Sequence, residues 1–200
     1  KLLEIKNDTE RLALIRYLAN KGKGQEAMAQ IRLLSVPLSQ EDKEEIVRLL
    51  FTAKAFDDAF GLSTPSIGER KPTIFNAGFE DLKILSEPGF GGWVLSPQPK
   101  IKMAIDVSEK FAGTKSLQLN FDGEWNSGTQ LLSQTVLIEP VRVYSLTFSL
   151  KTKDLVTGGP LMLTVNDAGS GELLGKSESF PSTDLWVTMN FEFTTLETSK

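Results

Sequence analysis

The pattern of apolar and polar positions changes character about one third of the way along the chain. Up to residue 63, apolar residues recur three or four positions apart, which is the spacing of one face of an α-helix. After Thr64-Pro65-Ser66-Ile67-Gly68 the chain breaks into short stretches in which apolar and polar residues alternate, separated by Gly, Pro, Asn and Asp. We therefore predict a helical region at 1–66 and a β region at 67–200.

Start and stop signals predict four helices in the first region. Asn7 followed by Glu10 is typical of a helix start, and Lys21-Gly22 ends the first helix. A second helix follows at once, and Ser39 with Asp42 marks the start of a third. The apolar face of a short fourth helix is formed by Phe56, Ala59 and Phe60.

The two helical pairs resemble each other in sequence. Ile15-Arg16-Tyr17-Leu18, followed by Glu26-Ala27, matches Val47-Arg48-Leu49-Leu50, followed by Asp58-Ala59, at an offset of about 32 residues. This looks like a tetratricopeptide-type (TPR-like) helical repeat, in which the alanine that both copies share lets neighbouring helices approach closely. An unrelated pair of helical hairpins is the alternative. The resemblance implies a protein partner for the helical repeats.

The second region has the alternation of antiparallel strands, each with one polar and one apolar face, most clearly at 117–121 and 144–150. Further strands are predicted at Ile101 to Val107, Gln130 to Ile138, Leu161 to Val165 and Trp186 to Thr194. Many short strands without helices between them indicate a sandwich or jelly roll. The predicted fold class is α plus β in separate domains, with N-terminal helical hairpins and a C-terminal antiparallel β-sandwich.

The order of short motifs in the β region is similar to that of a known family. The motifs are Phe75-Asn76-Ala77-Gly78-Phe79-Glu80-Asp81, Gly92-Trp93, Gly113-Thr114-Lys115-Ser116-Leu117, Gln134-Thr135-Val136, Pro140, Tyr144-Ser145-Leu146 and Trp186. Together they resemble the galactose-binding-like, carbohydrate-binding-module-like jelly roll, over about the last two thirds of the chain. The resemblance implies an oligosaccharide or polysaccharide ligand and a bacterial protein of the cell envelope or another extracytoplasmic location.

Sugar recognition needs a flat apolar ring surface with amides and carboxylates around it. Trp125, flanked by Glu124 and Asn126 in a predicted loop, is the first ligand-binding candidate, and its alternative role is a lid over a sheet edge. Trp186 shares a predicted strand face with polar residues, and there the alternative is an anchor for the preceding loop. Gln134, in an otherwise apolar stretch, either bonds a sugar hydroxyl or is a satisfied buried amide.

The resemblance also implies a structural calcium ion near the first strand of the β region. Glu80 stands at the position where the family supplies a carboxylate, and loop carbonyls around Lys115 supply further oxygen ligands. The acidic ligand that the family carries on a final strand has no counterpart in Glu197-Thr198-Ser199-Lys200. Either that strand lies beyond residue 200 or the site is absent, and if the site exists its predicted metal-binding residues are Glu80 and Lys115.

Composition narrows the chemistry that the 200-residue chain can perform. It has no Cys and no His, which excludes zinc sites of the usual kind, thiol nucleophiles and Ser-His-Asp triads. The formal net charge of −4 and the lack of clustered Lys and Arg argue against nucleic acid as a partner. No apolar run approaches the ~20 residues needed to span a membrane.

Two functions, both without catalysis, are consistent with these features. In the first, the sandwich binds a glycan and the helices position it. In the second, the chain is a protein–protein interaction scaffold, and the sandwich is structural. An enzyme is not expected, because no spacing singles out a catalytic pair among the available carboxylates, which are Asp106, Asp122, Glu124, Asp167 and Glu172.

Overall fold

The computed structural model describes residues 7–63, 74–81, 84–85, 92–123, 128–155 and 159–199. Helices come first and mostly antiparallel strands follow, which confirms the predicted order of the two kinds of structure. The boundary predicted between residues 66 and 67 lies outside the described residues, so the division into two domains stays a prediction. In the described part of the chain, no helix is both long enough and apolar enough to span a membrane.

The helices form two hairpins with a fixed period. They are α1 (Asp8–Asn20), α2 (Gly24–Ile31), α3 (Gln40–Thr52) and α4 (Phe56–Ser63). Both helices of the second hairpin begin and end 32 residues after their counterparts in the first, as the sequence comparison predicts. The predicted starts are also observed, because the side chains of Asn7 and Ser39 accept hydrogen bonds from the N–H groups of Glu10 (2.9 Å) and Asp42 (3.1 Å).

One apolar core joins the two hairpins. Its buried members are Ile15, Leu18, Ala19, Ala27, Ile46, Leu50 and Ala59. Ala27 and Ala59 occupy equivalent positions of the repeat and are fully buried, so their small side chains permit close packing of the helices. On the surface, the Arg16 guanidinium lies 2.6 Å from a carboxylate oxygen of Asp42 and 2.6 Å from one of Glu45, which links α1 to α3.

The described part of the β region contains nine strands. They are β1 (Ile84–Leu85), β2 (Trp93–Leu95), β3 (Ile101–Asp106), β4 (Ser116–Phe121), β5 (Leu132–Ser133), β6 (Val143–Leu150), β7 (Thr164–Asn166), β8 (Leu173–Lys176) and β9 (Val187–Thr194). They pair as β1-β2-β5, β3-β4, β6-β9 and β7-β8. The β1-β2 pair is parallel, which corrects the prediction that all strands pair antiparallel. Because these small sheets do not join into one closed sandwich within the described residues, the jelly roll stays a prediction.

The longest pairing joins β6 to β9, from Val143 opposite Thr194 to Leu150 opposite Val187. Side chains alternate between an apolar inner face and a polar outward face, as predicted. On the inner face the rings of Tyr144 and Phe193 stack with centroids 5.6 Å apart. Gly175 of β8 lies against this face so closely that an added Cβ would be 2.7 Å from the Phe193 side chain. The β7-β8 hairpin therefore packs on the inner face, and the outward face meets solvent.

Several strands differ from the prediction: β7 begins three residues after the predicted start at Leu161, and β1, β2 and β8 were not predicted. In the stretch Gln130 to Ile138 the one strand is the two-residue β5, and the Gln134 side chain there pairs with the backbone of Phe75. Strand β8 was missed because Leu173 and Leu174 are consecutive apolar residues, so this stretch lacks the alternation that predicts a half-buried strand.

The helical region touches the β region at the turn between β7 and β8. Lys54, which lies between α3 and α4 with a left-handed φ of 62°, donates a hydrogen bond from its ammonium to the Gly169 carbonyl oxygen at 2.6 Å. Beside this contact is an open groove of about 340 Å³. Its lining residues are Arg48, Phe51, Thr52, Lys54, Phe56, Thr135 and Ala168.

Candidate functional site

Two aromatic side chains from different loops meet on the surface of the β region. Trp186 lies immediately before β9, and Phe111 lies in the loop between β3 and β4. Their ring centroids are 5.9 Å apart and their planes are inclined by 50°. Phe111 is 58% exposed and Trp186 is half-buried. We call this pair the aromatic platform. Because water solvates apolar rings poorly, covering the platform with a ligand lowers the free energy of the system.

Hydrogen bonds to Thr152, which follows β6, hold the segment that leads to Trp186. The Thr152 N–H donates to the Thr183 carbonyl at 3.0 Å, and the Thr183 N–H donates to the Thr152 hydroxyl oxygen at 2.7 Å. The same hydroxyl donates to the Pro181 carbonyl at 2.7 Å. Trp186 continues the series of outward positions of β9, as the alternation predicts. Its position is therefore set both by the strand and by this loop.

Asp106 fixes the first end of the loop that carries Phe111. Its Oδ1 atom accepts hydrogen bonds from the Ser108 hydroxyl (2.6 Å), the Ser108 N–H (2.7 Å) and the Glu109 N–H (3.1 Å). The Ser108 hydroxyl, followed by the two N–H groups, holds the pKa of Asp106 below its ordinary value. The Ser116 hydroxyl donates to the Glu109 carbonyl at 2.6 Å and ties the loop to β4.

Glu80 fixes the second end of the same loop, and the contact brings together the two predicted metal-binding residues. Its Oε1 accepts hydrogen bonds from the N–H groups of Thr114 (2.7 Å) and Lys115 (3.2 Å), and its Oε2 accepts one from the Thr114 hydroxyl. The Thr114 hydroxyl, followed by the Thr114 N–H, lowers the pKa of Glu80. Gly113 has a φ of 69°, and a Cβ there would overlap the Glu80 carboxylate. The loop therefore requires glycine at this position.

These contacts bear on the calcium ion that the resemblance implies. Calcium binds oxygen ligands, whereas N–H and O–H donors face the Glu80 carboxylate, and the Lys115 ammonium donates to the Glu80 carbonyl oxygen at 2.5 Å. Among the described residues, no three acidic side chains are grouped as metal ligands. The observed arrangement does not fit a calcium ligand set. Calcium binding by Glu80 and Lys115 stays a prediction that requires these donors to move.

A salt bridge and a row of polar side chains extend from the aromatic platform. Lys151 Nζ lies 2.9 Å from Glu109 Oε2, which links the end of β6 to the Phe111 loop. Further along, outward positions pair Ser149 with Thr188, Thr147 with Asn190, and Ser145 with Glu192. The hydroxyl oxygens of Ser149 and Thr188 are 2.9 Å apart. Hydroxyl, amide and carboxylate groups such as these form hydrogen bonds with sugar hydroxyls.

The remaining predicted ligand residues lie elsewhere. The Gln134 amide is paired with the backbone of Phe75, accepting from its N–H at 2.7 Å and donating to its carbonyl at 2.9 Å. Trp93, which belongs to one of the family-like motifs, donates from its indole nitrogen to the Asn76 carbonyl at 3.0 Å. Glu124, Trp125 and Asn126 lie outside the described residues, so the predictions made for them are unchanged.

Phe111 is the member of the site that sequence reasoning missed. It stands in the polar stretch Ser108-Glu109-Lys110-Phe111-Ala112-Gly113, and an isolated large aromatic residue in such a loop is the signal that was available. Comparisons with known protein families, with curated proteins and with solved structures found no match for this chain. The function is therefore inferred from the chemistry of the chain's own residues.

Proposed function

We propose that the chain is a non-catalytic glycan-binding protein whose ligand stacks on the aromatic platform of Trp186 and Phe111. The observation that supports this proposal is a surface aromatic pair, with Phe111 exposed and Trp186 half-buried, bordered by polar side chains on the outward face of β6 and β9. A pyranose ring places its C–H groups against an aromatic ring and turns its hydroxyls toward polar groups. In this proposal the β region is a carbohydrate-binding-module-like jelly roll, carried by TPR-like helical repeats.

The two loops that carry the platform are held before any ligand arrives. Thr152 bonds the segment before Trp186, and Asp106 and Glu80 fix both ends of the Phe111 loop. Binding to fixed side chains loses less conformational entropy than binding to mobile ones. This preorganisation favours a binding role over a platform that is exposed merely by chance.

The experiment is a calorimetric titration of oligosaccharides chosen by a glycan array. Trp186→Ala and Phe111→Ala should each weaken binding by about tenfold or more, because a ring that stacks on a ligand commonly contributes about 2 kcal/mol. Tyr17→Ala is the matched control, since Tyr17 on α1 is also 58% exposed. Thermal melting of each variant reports the fold separately. Equal binding by all three variants would contradict the proposal.

A specific observation also favours the second function, a protein-interaction scaffold. The first helical hairpin and its following turn expose three large apolar side chains, Tyr17 (58%), Leu33 (59%) and Val36 (63%). If this function is the correct one, an intact chain binds no oligosaccharide on the array, and Tyr17→Ala weakens a protein interaction that Trp186→Ala leaves unchanged.

A further inference from the structure

We infer that the glycan is a single neutral chain. One end is anchored on the aromatic platform, and the chain extends along the outward face of β6 and β9 to Glu192. The carboxylate of Glu192 excludes anionic sugars. The inference rests on the proposed function and adds to it the charge, the length and the direction of the ligand.

The inclination of the two rings defines the physical form of the ligand. Planes inclined by 50° cannot both lie flat on one planar surface. A crystalline polysaccharide face would therefore stack on one ring only and leave the other exposed. A single chain, whose successive sugar rings are turned relative to each other, is able to cover both rings.

The polar row sets the length. Trp186 directly precedes β9, and Glu192 lies six positions further along it, a span of roughly 20 Å at about 3.3 Å per residue, which corresponds to about four sugar units. The platform stands at one end of this span, and the outward positions beyond it hold hydroxyl and amide groups. The ligand is thus anchored by its end units, and its later units gain hydrogen bonds.

Charge on the outward face determines which sugars are accepted. The Lys151 ammonium is engaged by Glu109, so the two charges offset each other. Within the described part of the chain, Glu192 is exposed and has no ion-pair partner, and no other charged side chain belongs to the paired outward positions between Trp186 and Glu192. A uronic acid, phosphate or sulfate at this end would meet the Glu192 carboxylate, whereas the guanidinium of nearby Arg142 is already paired with Glu139 at 3.1 Å, and like charges repel. Glu192 is thus a specificity-determining residue for neutral units.

The test uses cello-, manno-, malto- and galactotetraose, each with its disaccharide and with its C6-carboxylated tetramer, titrated into the full chain. The best neutral tetramer should bind about tenfold more tightly than its disaccharide, and its carboxylated form should bind about tenfold more weakly. Glu192→Gln should recover most of the affinity for the carboxylated form. Glu41→Gln on α3 removes an equal charge far along the sequence and should not recover it.

The outcomes separate the two proposals. If no oligosaccharide binds, or if Trp186→Ala leaves its binding unchanged, the proposed function fails and the inference fails with it. If a tetramer binds through Trp186 but its disaccharide or its carboxylated form binds equally tightly, the inference is overturned while the glycan-binding function stands. Equal recovery in Glu192→Gln and Glu41→Gln also overturns it, because a general charge effect then replaces a local one.

Discussion

Lys54 and Gly169 join the helical region to the β region across 115 positions of sequence, through a hydrogen bond of 2.6 Å from the lysine ammonium to the glycine carbonyl. The equivalent position of the first hairpin is Gly22, which has a φ of 69°, close to the 62° of Lys54. The second copy of the repeat therefore carries a long cationic side chain in a conformation that favours glycine. At this position the second copy of the repeat contacts the β region.

Replacing Lys54 tests whether that contact restrains the turn between β7 and β8. Lys54→Ala should speed hydrogen exchange at the amides of Ser170 and Gly171, while lowering the free energy of unfolding by about 1 kcal/mol at most, because the bond is exposed. Lys21→Ala, in the equivalent turn of the first hairpin, is the control. Equal exchange rates at this turn in both variants would show that the contact restrains nothing.

Gly113 should tolerate no side chain. Gly113→Ala places a Cβ in the space of the Glu80 carboxylate at a φ of 69°, and it should lower the free energy of unfolding by about 1 kcal/mol or more. Gly61→Ala in α4 is the matched control, since nothing lies within 4 Å of its added Cβ, and it should stabilise the chain by up to about 1 kcal/mol. Urea unfolding measures both, and a stable Gly113→Ala protein would contradict the Glu80 contacts.

Asp167 should make stability depend on acid pH. This buried carboxylate accepts hydrogen bonds from the Ser170 N–H (2.7 Å), the Ser170 hydroxyl (2.9 Å) and the Ser199 hydroxyl (2.8 Å). The Ser170 N–H is the largest cause of its lowered pKa, and burial opposes it. Because its pKa is lower in the folded than in the unfolded chain, the group stabilises the fold above its ordinary value of about 4. That contribution is lost as pH falls through the folded pKa.

Asp167→Asn isolates this contribution. At neutral pH the variant should be less stable than the unmodified chain by about 1 to 3 kcal/mol, because the amide is uncharged and has only one acceptor oxygen, so the buried Ser199 hydroxyl loses the Oδ2 atom to which it donates. The difference in the free energy of unfolding between the two proteins should narrow in urea titrations carried out below about pH 4. There the unmodified chain loses the stabilisation that the ionised Asp167 provides. A constant difference from neutral to acid pH would mean that the carboxylate does not titrate as its contacts imply.

Glu80→Gln separates the observed contacts from the calcium site that the resemblance implies. We expect the substitution to lower the melting temperature equally in calcium and in EDTA, because the carboxylate bonds to Thr114 and Lys115. If these donors keep their places, calcium leaves the melting temperature of the unmodified chain unchanged. A rise with calcium that Glu80→Gln removes would instead establish the calcium site.

The helical repeat was predictable because its signals are local. Asn7 and Ser39 cap their helices through residues three positions away, and the buried alanines recur with the period of the repeat. The alternation in β6 and β9 likewise revealed which face is polar. Such patterns depend on neighbours along the chain, and so the sequence contains them directly.

The candidate site was only half predictable. Trp186 was found through its place in the alternation, but its partner Phe111 comes from a loop shaped by Asp106 at one end and Glu80 at the other. No local rule connects those residues. For the same reason the sequence does not reveal the partner of the Gln134 amide, which is Phe75, a residue 59 positions earlier.

The most direct test of glycan binding follows the indole N–H resonances of the three tryptophans in a ¹⁵N-labelled chain as a neutral tetrasaccharide is added. Trp93 is an internal reference because its indole N–H is bonded to Asn76 at 3.0 Å, and Trp186→Phe and Trp93→Phe assign the signals. We predict a saturable shift of the Trp186 resonance with Trp93 unchanged. Binding that shifts only the Trp125 resonance, or saturating ligand that shifts none, would contradict the assignment of the site to Trp186 and Phe111.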